Sequence, residues 1–358
     1  MGDRKINVGS MFAGVGGICK GFLDSGNGSE QKTEYHISWA NEIDKNACIT
    51  YRQNFPNTAL YEADIFDILN NPEHAHTLEA ITSKPIDILN GGFPCQAFSV
   101  AGYRKGFDDD RGHLFIAIIK LIRNFGKRSD KPRFLLLENV KNLLTHDKNR
   151  TYNIIKEKLT EEGYTVKEKI INTMHYSNLP QTRERLYIMG FLSKKDADGF
   201  TLFEDNNLEK YRTDPWISQD PRTFALLDNN VDEKYYYTQA KYPHYYNEAV
   251  NLDNDITERG QFYQLRRGMY VRHNKSNVCP TLTANMGTGG HNVPLLFDGT
   301  GVRKITPAEA FKLQGFPINN GYILPPETAD CHLYKQAGNS VSIPVIKILA
   351  DELMKLIK

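Results

Sequence analysis

The sequence predicts an α/β fold: a doubly wound, mostly parallel, Rossmann-like sheet joined to a second, smaller and irregular region. Three observations predict it. Short apolar runs alternate with helical patterns from the start of the chain to about Phe191. The first run ends in Phe12-Ala13-Gly14-Val15-Gly16-Gly17, a turn that lets the backbone approach a ligand closely. From about residue 192 to residue 300 the composition shifts to Asn, Asp, Tyr and Gly, with weak periodicity and long loop-like stretches.

Strands are expected at 6–11, 35–40, 86–89, 133–137, 165–172 and 185–191. Between them, 114–125 carries apolar residues at helical spacing, and 151–162 reads as a helix that Gly163 would end. Order returns at Thr306-Pro307-Ala308-Glu309, where a Thr N-cap, a Pro at the first helical position and a Glu at the third begin a helix. An amphipathic helix at about 343–356 closes the chain. The expected division is 1–191 for the large domain, 192–329 for the small one, and 330–358 for a segment returning to the first.

A hydrophobic content of 40% in 358 residues supports real cores in about two domains. Lys and Arg total 44 against 43 for Asp and Glu, a net charge of +1, so any surface for a polyanion must be local. Five scattered cysteines without a Cys-x-x-Cys pair argue for reduced thiols and against a structural metal. The first ten residues lack an apolar signal core, Ile6 stands where a myristoylation signal wants Ser or Thr, and no apolar run approaches membrane-spanning length. The expected setting is the cytoplasm, with no membrane partner.

Cys95 in Gly91-Gly92-Phe93-Pro94-Cys95-Gln96 stands on a turn after a buried-type strand, where a thiolate gains access and a lowered pKa. Alone, it is as readily a small apolar turn residue. Glu42 ends the second strand where dinucleotide folds place a carboxylate on ribose hydroxyls, and Asp64-Ile65 follows the third, suited to an adenine amino group. Together with the glycine turn they favour a nucleoside cofactor. A nicotinamide enzyme is the alternative, but the turn reads G-x-G-G rather than the full G-x-G-x-x-G phosphate fingerprint. Glu138 follows another buried strand, a place that can raise a carboxyl pKa, and Gln181, Arg183 and Arg185 alternate so as to share one face. From Arg259 to Phe297 there is no acid, while Arg259, Arg266, Arg267, Arg272 and Lys275 fall inside, as phosphate contact requires. The tyrosines at 235–237, 242 and 245–246 fit the core of the small region better than base stacking.

Six segments occur in order: FAGVGG, NGGFPCQAFSVAG, LLLENVKNLLTHD, LPQTRERLYIMGF, TPAEAFKLQGFP and YKQAGNSVSIPV. Together they resemble the DNA (cytosine-5) methyltransferases, over nearly the whole chain except about 192–260. The resemblance implies S-adenosylmethionine as methyl donor and cytosine in double-stranded DNA as acceptor, with the enzyme a monomer on DNA and the modification partner of a restriction endonuclease or a solitary counterpart. It implies Cys95, Glu138 and Arg185 as catalytic residues. For the cofactor it implies Phe12, Gly14, Gly16, Gly17, Glu42, Ile43, Asp64, Ile65, Pro94, Leu114, Asn339 and Val341. DNA contacts fall to Gln96, Ser99, Arg183 and Thr281 beside Arg266, Arg267 and Arg272, with the 97–102 loop as lid over a flipped base. Ser10-Met11 departs from the Asp-Leu of many members, which is expected to alter hydrogen bonding near the donor's methionine moiety. The transfer-RNA-methylating branch carries a Cys-Phe-Thr signature absent here, and an idle DNA-binding regulator would need neither nucleophile nor acid.

Overall fold

The structure, a computed structural model, describes residues 4–26, 33–93, 114–287, 293–318 and 320–357. Strands β1 (Arg4–Met11), β2 (Thr33–Glu42), β3 (Ala59–Glu62), β4 (Ile88–Gly92), β5 (Phe134–Val140), β6 (Thr165–Asn172) and β7 (Glu184–Phe191) form one sheet in the order β3-β2-β1-β4-β5-β7-β6. The first five pair in parallel, while β7 runs antiparallel between β5 and β6. Strand order reverses at β1, whose neighbours are β2 on one side and β4 on the other, and ligands of doubly wound sheets sit at the carboxyl ends beside such a reversal.

Both faces are covered, as parallel sheets require. On one, Met11, Leu89, Leu135, Leu137 and Ile188 bury against the Leu114–Asn124 helix, whose apolar stripe carries Phe115, Ile118, Ile119 and Ile122. On the other, Ile6, Val8, Phe134 and Leu136 meet the Ile343–Ile357 helix, so the end of the chain comes back onto the large sheet. Tyr35 Oη anchors it by donating to the carbonyl of Ala350 at 2.7 Å.

The second region is less irregular than its composition suggests. Strands β8 (Tyr263–Arg266), β9 (Tyr270–His273), β10 (Leu295–Phe297) and β11 (Val302–Lys304) make a four-stranded antiparallel sheet. At three or four residues each, these strands are too short for alternation to stand out. Tyr235, Tyr237 and Tyr245 are buried, and Tyr237 stacks on Tyr242 at 4.4 Å between ring centres, so these rings build the core. The helix Pro307–Lys312 opens with a capping box: Thr306 Oγ1 accepts from the Glu309 N–H at 3.1 Å, and Glu309 Oε2 accepts from the Thr306 N–H at 2.7 Å.

Candidate functional site

A cleft of about 450 Å³ opens at the carboxyl ends of β1, β2, β4 and β5, and the Asp330–Asn339 helix with residues 340–341 forms its far wall. Phe12, Gly14, Gly17, Glu42, Ile43, Leu114, Asn339 and Val341, all expected at the cofactor, line it together with Glu138 and Arg185. The chain turns sharply to build its floor. Phe12, Gly14 and Gly16 all have left-handed backbone, at φ of 54°, 55° and 82°. Gly16 does not line the cleft; a Cβ there would lie 2.2 Å from the Phe55 ring, so its glycine lets the turn seat against the Lys45–Asn54 helix.

Among the described residues, Glu42 is fixed by main chain. Its Oε2 accepts from the Gly14 N–H at 2.8 Å, and its Oε1 accepts from the N–H groups of Ile43 and Asp44 at 2.9 and 2.8 Å. Three amide donors orient the carboxylate at the cleft wall, with lone-pair capacity left for a hydroxyl. Asp64 and Ile65 follow β3, the next strand out, and neither lines the cleft: Asp64 Oδ1 caps the Ile65–Asn70 helix through the Phe66 N–H at 2.8 Å, and the Ile65 side chain is buried. Ser10 is likewise inside the sheet rather than at the cleft, and its Oγ donates to Asn90 Oδ1 at 2.9 Å.

At the other end, Glu138 lies within β5 rather than after it, buried on the pleat facing the cleft. Arg185 on neighbouring β7 brings Nε to 3.0 Å from Glu138 Oε1. The pair is close but misaligned, and Oε1 keeps no hydrogen-bond partner among the described residues. Such an atom is costly to bury and is poised for a hydrogen bond with a ligand. Asn139, which the sequence reading passes over, donates from Nδ2 to the Phe93 carbonyl at 2.8 Å and so fixes the chain two residues before Cys95. Lys335 and Asp44, also passed over, line the cleft and meet at 2.6 Å. A lysine on a helix carries no signal until the fold brings residue 44 beside it.

Pro94, Cys95, Gln96, Ser99 and the expected 97–102 lid lie outside the described residues. The described cysteines narrow the choice of nucleophile. Cys19, Cys48 and Cys279 are buried, and burial pushes the Cys48 thiol up to about 12 and raises the other two, while Cys331 is exposed but does not line the cleft.

Arg183 corrects the expectation of a DNA contact. It is 2% exposed, and its guanidinium donates to the carbonyls of Leu282, Gly338 and Ser340, so it does not reach the surface. Burial, with Arg185 nearby, pushes it down to about 9. Thr281 Oγ1 donates to the Thr182 carbonyl at 2.5 Å, which seats its segment beside β7. Arg266, Arg267 and Arg272 stand apart from the cleft on the β8–β9 hairpin. Pairing of Gln264 with Arg272 and of Arg266 with Tyr270 puts these four side chains on the outer face, opposite buried Tyr263 and Leu265. Gln264 Oε1 accepts from Arg266 at 2.8 Å and Arg272 at 3.0 Å. At the tip, Arg267 takes a left-handed φ of 54°, and Met269 and Tyr270 are 66% and 53% exposed.

Among the described residues no cluster of His, Cys, Asp and Glu could hold a metal, and no helix is long and apolar enough to cross a membrane. The family model for C-5 cytosine-specific DNA methylases matches residues 6–355. Type II methyltransferase M.Bsp6I of Bacillus sp. (strain RFL6) is 43% identical over 98% of this chain and 99% of its own length. Type II methyltransferase M.SsoII of Shigella sonnei is 36% identical over 96% of this chain and 79% of its own. Among solved structures, a DNMT2 mutant of Spodoptera frugiperda superposes with a TM-score of 0.65 at 20% identity, covering 98% of this chain and 99% of that one. The Entamoeba histolytica methyltransferase EhMeth gives 0.61 at 19% identity, covering 99% of both.

Proposed function

The chain belongs to the C-5 cytosine-specific DNA methylases, and from that premise we propose that it methylates C5 of one cytosine within a short duplex sequence, as a Type II modification enzyme. The observation that carries the reading is the Glu138–Arg185 pair: a buried carboxylate with an unpartnered oxygen at 3.0 Å from a guanidinium, both lining the cleft.

Cytosine C5 is a poor nucleophile, so the ring must first take a nucleophile at C6 to become an enamine. Cys95, two residues beyond the Phe93 carbonyl that Asn139 holds, supplies the thiolate. Glu138 gives a proton or hydrogen bond to N3, and Arg185 holds Glu138 and donates to O2 of the same ring. The residues present fit S-adenosylmethionine. Glu42 takes the ribose hydroxyls, Phe12, Gly14, Gly17, Ile43 and Leu114 enclose the nucleoside, and Asn339 and Val341 close the cleft from the returning segment. The donor supplies an electrophilic methyl group. After its transfer, loss of the C5 proton expels Cys95.

The duplex lies along the acid-free region. Arg266, Arg267 and Arg272 hold phosphates, and exposed Met269 and Tyr270 at the hairpin tip meet base edges in a groove wide enough for a two-stranded ribbon. Gln96 and Ser99, beside Cys95, fill the gap left by the flipped cytosine. A solitary enzyme or one paired with a nuclease acts through the same residues.

Bisulfite sequencing of DNA from cells that lack other cytosine methylation and express the protein tests this. One short sequence should be methylated throughout the genome, and none with Cys95→Ser. An unmethylated genome under wild-type expression overturns the proposal.

A further inference from the structure

Arg183 is, with Arg303, one of the two arginines fully buried among the described residues, and where Arg303 pairs with Asp298 and Glu309, Arg183 meets only main-chain carbonyls there, its Nε left without a partner. Burying a guanidinium is costly unless its donors are used. Here Nη1 donates to the Leu282 carbonyl at 3.0 Å, and Nη2 donates to the carbonyls of Gly338, at 3.3 Å, and Ser340. These acceptors belong to two segments far apart in the chain. Leu282 lies within the acid-free region, and Gly338 and Ser340 line the cleft on either side of Asn339.

The two segments also touch without Arg183. A Cβ on Gly338 would lie 2.2 Å from the main chain of Thr283 and 2.6 Å from the Ala284 nitrogen, so backbone packs on backbone. Gln181 reinforces the junction: its Oε1 accepts from the Leu282 N–H at 3.2 Å, and its Nε2 donates to the Leu313 carbonyl at 2.8 Å. Two residues after Arg183, on the strand that begins at Glu184, stands Arg185, 3.0 Å from Glu138.

We infer that Arg183 is a positioning residue that ties the wall of the donor cleft to the 281–284 segment of the acid-free region, so that a ligand seated at either one steadies the other. The inference rests on the donor cleft assigned above. A lysine can replace the charge but not the fork that reaches two segments at once. Coupling of this kind is reciprocal, so the donor side alone can report it.

The test uses the full chain and S-adenosylhomocysteine without DNA. Hydrogen exchange followed by mass spectrometry on the wild type should show slower exchange of the 281–284 amides on binding, although this segment does not line the cleft. Calorimetry on Arg183→Lys should show about tenfold weaker binding, and the protection at 281–284 should vanish even where the variant melts like the wild type. A role confined to general stability would lower melting and leave the protection in place. Wild type that binds S-adenosylhomocysteine with no change at 281–284 overturns this inference alone. Wild type that does not bind it at all overturns the donor assignment, and this inference with it.

Discussion

The carboxyl edge of the large sheet and the outer face of the β8–β9 hairpin handle charge in opposite ways. At the sheet edge every charged group named in the site is held by something close: Glu42 by three main-chain N–H groups, Glu138 by Arg185, Arg183 by carbonyls from two segments. On the hairpin, Arg266 and Arg272 share one amide oxygen among the described residues, and Met269 and Tyr270 face solvent. The difference follows from the tasks. Stabilising a transition state rewards groups fixed before the substrate arrives, whereas contact with a long polyanion needs accessible cations and a tip free to be replaced without disturbing a core.

The comparison breaks first, and most visibly, at the sheet edge. Cys95→Ser should abolish methyl transfer, and Glu138→Gln should lower it by about a hundredfold to ten-thousandfold. Both should leave S-adenosylhomocysteine affinity within about threefold, because neither residue is assigned to the donor. A duplex carrying 5-fluorocytosine at the target should form a covalent adduct with wild type and donor, since fluorine does not leave as a proton does. A denaturing gel without that band, or with the same band for Cys95→Ser, contradicts the role of the thiolate.

Glu42→Ala sharpens the contrast within the cleft. Loss of hydrogen bonds to a charged group, about 1.5–3 kcal/mol, weakens donor binding by roughly 10- to 100-fold and leaves DNA binding in place. Calorimetry that finds donor affinity unchanged and DNA affinity reduced would put the donor elsewhere.

The smallest expected change falls on the hairpin. Arg266→Ala or Arg267→Ala should weaken binding to all duplexes alike and flatten the plot of log K against log salt by about 0.9 for each phosphate no longer neutralised. Fluorescence anisotropy across a salt series reads this directly. A loss confined to one sequence would instead make that arginine a base reader.

How far these regions are legible in the sequence follows the same divide. Glu42 and Glu138 can be read because a strand end is marked by a local pattern, and the strand delivers the side chain to the sheet edge whatever lies elsewhere. Thr306 and Glu309 can be read because a capping box closes within four residues. The short strands β8 to β11 cannot, since their pairing rather than their pattern defines them. Arg183 misleads for a related reason: the resemblance suggests a DNA contact, and only the return of Gly338 and Ser340 from 155 and 157 residues away shows where its donors go. Lys335 opposite Asp44, 291 residues apart, is hidden in the same way.

Exchange of residues 192–300 for the matching region of a relative with a different methylated site tests the division of labour most directly. Bisulfite sequencing and S-adenosylhomocysteine calorimetry on the same chimera give the two readouts. The account predicts that the methylated sequence moves to that of the relative while donor affinity stays within about threefold, because the cleft is built from outside the exchanged segment. A chimera that folds, methylates and still marks the original sequence would place base readout in the large sheet and contradict it.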